Sequence, residues 1–175
     1  MTRVLLHTCC GPCASACAET LRSLGHDVTL FFSNGNVWPP EEYVKRLESV
    51  KRLSEEAELP LLQDTHDHAA WLQCVAGMEG APEGGERCRH CFRFNLERTQ
   101  NAALAHGFAR FTTSLTVSPH KCSRTLFAVG REIDPLRFLA VDFKSNGGYQ
   151  RSLELSRRYS LYRQRFCGCE FGGGG

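Results

Sequence analysis

The stretch Val4-Leu5-Leu6-His7-Thr8-Cys9-Cys10-Gly11-Pro12-Cys13 decides how the rest of the chain is read. An apolar run without polar alternation predicts a strand buried on both faces. It ends in a cysteine-rich loop and passes at once into a helix-forming segment, Ala14 to Leu24, stopped by Gly25. Open α/β sheets place their chemistry in such a loop, at the carboxyl end of a strand. Three thiols fall within five residues there.

Outward from this stretch, strands and helices alternate. Val28 to Phe32 is a second strand, followed by the loop Ser33 to Pro39. Pro39 and Pro40 open a helix whose stripe Tyr43, Leu47, Val50, Leu53 and Ala57 keeps helical spacing. A strand over 59–63 and a helix over 67–75 precede the segment Gly77 to Arg87, where four glycines, one proline and three acids predict a loop. A helix from 88 to 106 stops at Gly107, and strands are expected over 108–113 and 138–141, separated by a helix from Ser118-Pro119 to Ile133. A polar, arginine-rich helix is expected over 149–162. The pattern predicts a single α/β domain over 1–171: a mainly parallel, Rossmann-like sheet flanked by helices, with a helical C-terminal extension. Residues 172–175 are expected as a disordered glycine tail.

Composition narrows the chemistry. With 175 residues and 42% hydrophobic content, the chain can bury a core without covalent staples. The first residues show no leader pattern, and no apolar run approaches the roughly 18 residues that span a bilayer. A cytoplasmic protein with no membrane partner is expected. In that reducing compartment ten cysteines point to metal ligation or redox work rather than a disulfide framework. The net charge is +2, but Lys144 to Arg165 holds six basic residues against Glu154 alone, which suits a phosphate-bearing partner.

The thiols form three clusters. Cys88 and Cys91 lie one helical turn apart at a helix start, where the helix dipole favours thiolates. Cys10-Gly11-Pro12-Cys13 has the same chelating bite and is also the thioredoxin redox tetrad. Cys167-Gly168-Cys169 closes the chain. A dithiol reductase needs two thiols and would leave Cys9 and the distant pairs unused. Adjacent Cys9 and Cys10 are expected to point apart and serve different metal atoms. Seven thiols exceed the four that close one structural zinc site, so a polynuclear centre, or two neighbouring ones, fits the count. Cys17, Cys74 and Cys122 are expected as small buried hydrophobes.

These residues, with the Asn34-Gly35-Asn36-Val37-Trp38-Pro39 loop, Glu42-Tyr43, Arg46, Arg87-Cys88-Arg89-His90-Cys91-Phe92, Thr112-Thr113-Ser114-Leu115, Ser118-Pro119-His120-Lys121, Asp142-Phe143-Lys144 and Tyr162-Arg163-Gln164-Arg165-Phe166-Cys167-Gly168-Cys169, resemble the QueH-type epoxyqueuosine reductases over nearly the whole chain. Gly35 and Phe166 depart from the family pattern, where proline and tyrosine are usual.

The resemblance implies a nucleotide-hydrolase-like α/β fold and a cobalamin-independent enzyme that reduces the epoxide of epoxyqueuosine to queuosine. The substrate it implies is a tRNA with a GUN anticodon. It also implies a [4Fe-4S] cluster with an adjacent mononuclear iron, and an electron donor that the sequence does not name. The expected ligands are Cys9, Cys10, Cys13, Cys88, Cys91, Cys167 and Cys169, divided as Cys10, Cys88, Cys91 and Cys169 on the cluster and Cys9, Cys13 and Cys167 on the iron. His7, Lys121 and Asp142 are expected as proton donors. Asn34, Asn36, Lys144, Tyr149, Arg157, Arg158, Tyr162, Arg163 and Gln164 are expected on the substrate, because aromatic faces mixed with phosphate-directed donors suit a splayed anticodon. Two other classes compete: a thiol–disulfide oxidoreductase working through Cys10 and Cys13, and a non-catalytic, zinc-stabilised RNA-binding protein.

Overall fold

The computed structural model describes residues 1–172. Four strands, β1 (Thr2–Thr8), β2 (His26–Phe32), β3 (Leu61–Gln63) and β4 (Arg110–Thr113), form one sheet in the order β3-β2-β1-β4, every pair parallel. The helices are α1 (Gly11–Ser23), α2 (Pro40–Glu56), α3 (His68–Cys74), α4 (Glu86–Ala105), α5 (Ser123–Ile133) and α6 (Gly148–Arg158), with short 3-10 turns at Ser114–Val117 and Ser145–Gly147.

The unbroken apolar run of β1 is explained by burial on both faces. Successive side chains alternate, so Val4 and Leu6 face α1 and α2 while Leu5 faces α4 and α5, and all three are fully buried. Each such side chain contributes about 1.5–3 kcal/mol on burial. One layer centres on Leu21, Phe32, Leu47 and Val50, the other on Phe92, Leu96, Phe111 and Leu126. Gly11, the first residue of α1, lets that helix meet α2 at closest approach: a Cβ there would lie 2.4 Å from Ser49 Oγ and 2.9 Å from its carbonyl oxygen.

Several boundaries differ from the sequence reading. Residues 138–141 do not form a strand; Phe138 makes one isolated bridge to Phe111. The carbonyls of Leu139 and Val141 accept from the Thr112 and Thr116 hydroxyls, at 2.7 Å each, so side chains take the acceptors a ladder would need. Helix α4 begins at Glu86, inside the expected loop, and α5 at Ser123. Helix α6 stops at Arg158, before Ser160 turns to φ +52°. Gly172 donates its N–H to Cys169 O, and residues 173–175 of the expected tail lie outside the described residues.

Strand order places the functional site. From β1 the chain steps to β2 and β3 on one side, then returns to add β4 on the other. The loops leaving β1 and β4 therefore diverge, and a crevice opens at their carboxyl ends. Among the described residues, no helix is long and apolar enough to cross a membrane.

Candidate metal centre and substrate cavity

A cavity of about 730 Å³ occupies that crevice. Its walls come from the loop after β1, the loop after β2, the start of α4, the segment after β4, and the chain from Arg163 to Cys169. All seven expected ligand cysteines line it, whereas Cys17, Cys74 and Cys122 do not. Cys17 is fully buried and Cys74 half-buried, but Cys122 is exposed, contrary to expectation, because it caps α5 from a surface turn.

The thiols fall into two neighbourhoods. The sulfurs of Cys9, Cys10 and Cys13 all lie within 4.8 Å of one another, and Cys9 and Cys10 are 3.7 Å apart. The expected divergence of these adjacent side chains is thus not found: both turn toward the N-terminus of α1. Cys10 is the N-cap of that helix, its Sγ accepting from the Cys13 N–H at 3.4 Å. Hydrogen bonds from the Cys13 and Cys9 thiols hold Cys10 well below the usual thiol range, and the helix N-terminus favours the same charge. Cys9, donating to Cys10, is correspondingly pushed up to about 11. The second neighbourhood joins Cys91, raised by burial and then by the nearby Cys167 and Cys169, with Cys88.

Lys121 faces this second group. Its Nζ donates to Cys167 Sγ at 3.1 Å and sits 5.9 Å from the Phe92 ring centre. Burial alone would lower its pKa, but Cys167, Cys91 and Cys88 outweigh burial and keep it an ammonium.

Arg46 holds the Cys167-Cys169 arm in place. Its guanidinium, 2% exposed, pairs with Glu42 at 2.7 Å and donates to the carbonyls of Cys167 at 2.9 Å and Phe166 at 3.0 Å. Tyr162 completes the clamp, its hydroxyl donating to Glu42 Oε2 at 2.7 Å.

Of the expected substrate residues, Asn34, Asn36, Tyr149, Arg163 and Gln164 line the cavity. Asn34 is partly committed already, donating to Thr8 O at 3.0 Å. Lys144, Arg157, Arg158 and Tyr162 are not among the lining residues; Arg157 and Arg158 are exposed at the C-terminal end of α6. Lys144 joins Asp142 and Ser123 in a network that braces the Lys121 loop. Asp142 Oδ1 accepts from Ser123 Oγ at 2.7 Å and from Lys144 Nζ at 3.3 Å, and Lys144 also donates to Lys121 O.

His7 is fully buried in the sheet, outside the cavity lining. Its Nε2 lies 2.9 Å from Ser33 O and its Nδ1 2.9 Å from Thr113 Oγ1. A carbonyl can only accept, so Nε2 carries the proton and Nδ1 accepts from the threonine. Burial lowers its pKa, consistent with a neutral ring spent on joining three strand ends.

Trp71, Arg87, Asn95 and Arg165 also line the cavity, though the sequence reading named none of them as a site residue, Arg165 being counted only in the basic stretch. Asn95 lies one helical turn after Cys91, a spacing that places it on the same face. Among the described residues five buried side-chain atoms lack a hydrogen-bond partner, and four of these, Trp71 Nε1, Arg87 Nε, Asn95 Oδ1 and Gln164 Oε1, belong to cavity residues. Each such group costs about 1–3 kcal/mol unless something satisfies it. Sulfur or oxygen acceptors would satisfy Trp71 and Arg87, and N–H or O–H donors would satisfy Asn95 and Gln164, so the two N–H groups beside seven thiols fit a metal–sulfur group and the two amide oxygens fit a second guest with donors.

Known proteins resemble this chain over nearly its whole length. Residues 4–174 match the family model described as "Epoxyqueuosine reductase QueH". The epoxyqueuosine reductase QueH of Streptococcus pyogenes serotype M1 is 36% identical over 177 residues, covering 96% of this chain and 69% of the relative. That of Thermotoga maritima is 33% identical, covering 98% and 90%. Among solved structures, a predicted subunit of tRNA methyltransferase from Methanocaldococcus jannaschii superposes with a TM-score of 0.60 at 16% identity, over 90% of this chain and 75% of that one, a likeness of fold.

Proposed function

The chain belongs to the epoxyqueuosine reductase QueH family and is an oxidoreductase that reduces epoxyqueuosine to queuosine in tRNA; from that premise we propose how its residues divide the work. The observation that carries the proposal is the convergence of seven thiols, from three distant segments, on one cavity at the switch point of the sheet.

Cys88, Cys91, Cys167 and Cys169 hold a [4Fe-4S] cluster, and Cys9, Cys10 and Cys13 hold an adjacent iron. The closeness of the last three sulfurs supports this division over the interleaved one set out above. When bound, cluster and iron supply the electron store and the Lewis acid that deoxygenation of an epoxide calls for. Two electrons, from an external donor, and two protons are consumed, and the epoxide oxygen leaves as water.

Lys121 keeps a proton at Nζ inside the cavity and delivers it to the departing oxygen, while its charge offsets the surrounding thiolates. Asp142 and Lys144 hold the Lys121 loop, and His7 fixes the strand ends from which the cysteine loop starts. Asn36, Asn95 and Gln164 offer amide groups to the modified base and its diol. Tyr149, Arg163 and Arg165 take the flanking nucleotides of a tRNA with a GUN anticodon, and Arg157 and Arg158 extend the basic surface along its stem.

Iron quantitation and Mössbauer spectra of anaerobically prepared protein test the division. Cys91→Ser is expected to lose the cluster signal, and Cys9→Ser to lose the second iron while the cluster signal persists. Unchanged iron content and spectra in Cys9→Ser would remove it as a ligand. A colourless, zinc-loaded preparation would overturn the iron–sulfur reading as a whole.

A further inference from the structure

Four aromatic rings form a column beside the cavity. Trp38 stacks on His68 with centroids 4.7 Å apart and planes 17° from parallel; His68 stacks on Trp71 at 5.4 Å and 18°, and Trp71 on Phe171 at 6.0 Å and 17°. Trp71 is fully buried and lines the cavity, whereas Trp38, at the opposite side of His68, is 40% exposed. Among the described residues, His68 is the one ring on which Trp38 stacks.

The column is rigid where it meets solvent. The His68 ring sits between two acceptors, Nδ1 2.7 Å from Gly35 O and Nε2 2.8 Å from Glu170 Oε1, so either tautomer is held by one of them. The Trp38 backbone N–H donates to Gly168 O at 2.9 Å, between two cavity cysteines, and Asn36, two residues earlier, lines the cavity itself. The exposed end of the column is therefore held by the fold next to segments that line the cavity, its ordering cost already met.

We propose that Trp38 is the stacking platform for a nucleobase flanking the modified nucleotide, so that the anticodon loop is gripped by its neighbouring base while the epoxide enters the cavity. The inference rests on the reading that this chain acts on tRNA. Single-stranded loops are recognised by splaying bases onto aromatic faces, and the exposed Arg163 and Arg165 at the cavity supply the phosphate-directed charge that accompanies such stacking. An exposed aromatic ring next to segments of a cavity that also carries two exposed arginines suits a nucleobase on a phosphate backbone better than an aliphatic protein surface.

The test titrates the full chain, wild type and variants matched for iron content and circular dichroism, with the anticodon stem-loop of a GUN-anticodon tRNA. Binding to wild type should quench tryptophan emission, and the quenching should disappear in Trp38→Phe, which keeps the buried Trp71. Trp38→Ala should weaken Kd by about 5- to 150-fold, the range for losing one stacked base, with Trp38→Phe recovering most of the affinity. Wild-type affinity in Trp38→Ala would overturn the platform while leaving the tRNA reading intact. Failure of the wild-type chain to bind the stem-loop would sink both. Unchanged RNA affinity in Trp38→Ala together with lost reduction by a protein electron donor would assign the face to a protein partner, and also overturns the proposal.

Discussion

Gly168 runs so close to Arg46 that a Cβ on it would lie 2.9 Å from Nη1 and 3.0 Å from Nη2, and its φ of +101° already excludes most side chains. The glycine between the two C-terminal cysteines is thus required twice, by its backbone angle and by the guanidinium that holds its neighbours' carbonyls.

Gly168→Ala should accordingly loosen the Cys167-Cys169 arm. Expected results are faster alkylation of these two thiols in the metal-free chain and less iron per chain after reconstitution. Arg46→Met leaves the buried Glu42 carboxylate unpaired and should cost about 3–5 kcal/mol. Arg46→Lys cannot reproduce the planar fork and should not restore the arm. Wild-type thiol protection in both Gly168→Ala and Arg46→Lys would refute the clamp.

Lys121→Met should reduce the rate of epoxide reduction by about 10²- to 10⁴-fold, the usual yield of a positioned proton donor, while iron content stays near wild type. Asp142→Asn acts through the Ser123 and Lys144 bonds and should lose less, with Lys121 still present. Single-turnover rates beside iron assays separate the two. Full activity in Lys121→Met would end its role as donor.

Asp64 links the end of β2 to α4, accepting from Ser33 Oγ at 2.7 Å, from the Thr65 N–H at 2.8 Å and from Arg98 Nη2 at 2.9 Å. Burial pushes its carboxyl up, but these bonds outweigh burial and hold it below the usual range. A depressed carboxyl contributes stability that is fully present above its unfolded pKa of about 3.9 and is lost as pH falls through the lower folded value. Urea midpoints measured from pH 6 downward should therefore fall below about pH 4 in wild type, and Asp64→Asn should be less stable at pH 6 with a flatter acid limb. Parallel acid limbs in the two proteins would contradict this.

Arg163 and Arg165 are the exposed basic residues that line the cavity mouth. If each meets one phosphate, replacing both with alanine should lower the slope of log K against log salt by about 2. An unchanged slope would place the phosphate contacts elsewhere, with the Arg157 and Arg158 pair the next to substitute.

Much of this was legible in the chain. The uniform apolar run of β1 could only mean burial on both faces, and Gly11-Pro12 after two cysteines could only open a helix at a strand end. Cys88 and Cys91 carried their one-turn spacing openly. Other features were hidden because they depend on partners far away in sequence. The segment 138–141 has strand composition, yet the threonine hydroxyls of 112 and 116 take its carbonyls. His7, beside the cysteines, reads as a proton donor until the sheet places Ser33 O and Thr113 Oγ1 on its two nitrogens. Glu42 and Arg46 stand one turn apart like any surface pair, and nothing local shows that they are buried against Tyr162 and Phe166, each 120 residues beyond its partner.

By itself, then, the sequence determined the layer architecture, the cysteine clusters and the loop on which they begin, since periodicity, turn residues and thiol spacing are local properties. Tertiary structure decided which thiols share a neighbourhood, which polar groups are already satisfied and which remain free around the cavity. Those outcomes depend on strand order and on contacts between residues more than 100 positions apart, such as the bonds of Arg46 to the Phe166 and Cys167 carbonyls, and no local pattern encodes them.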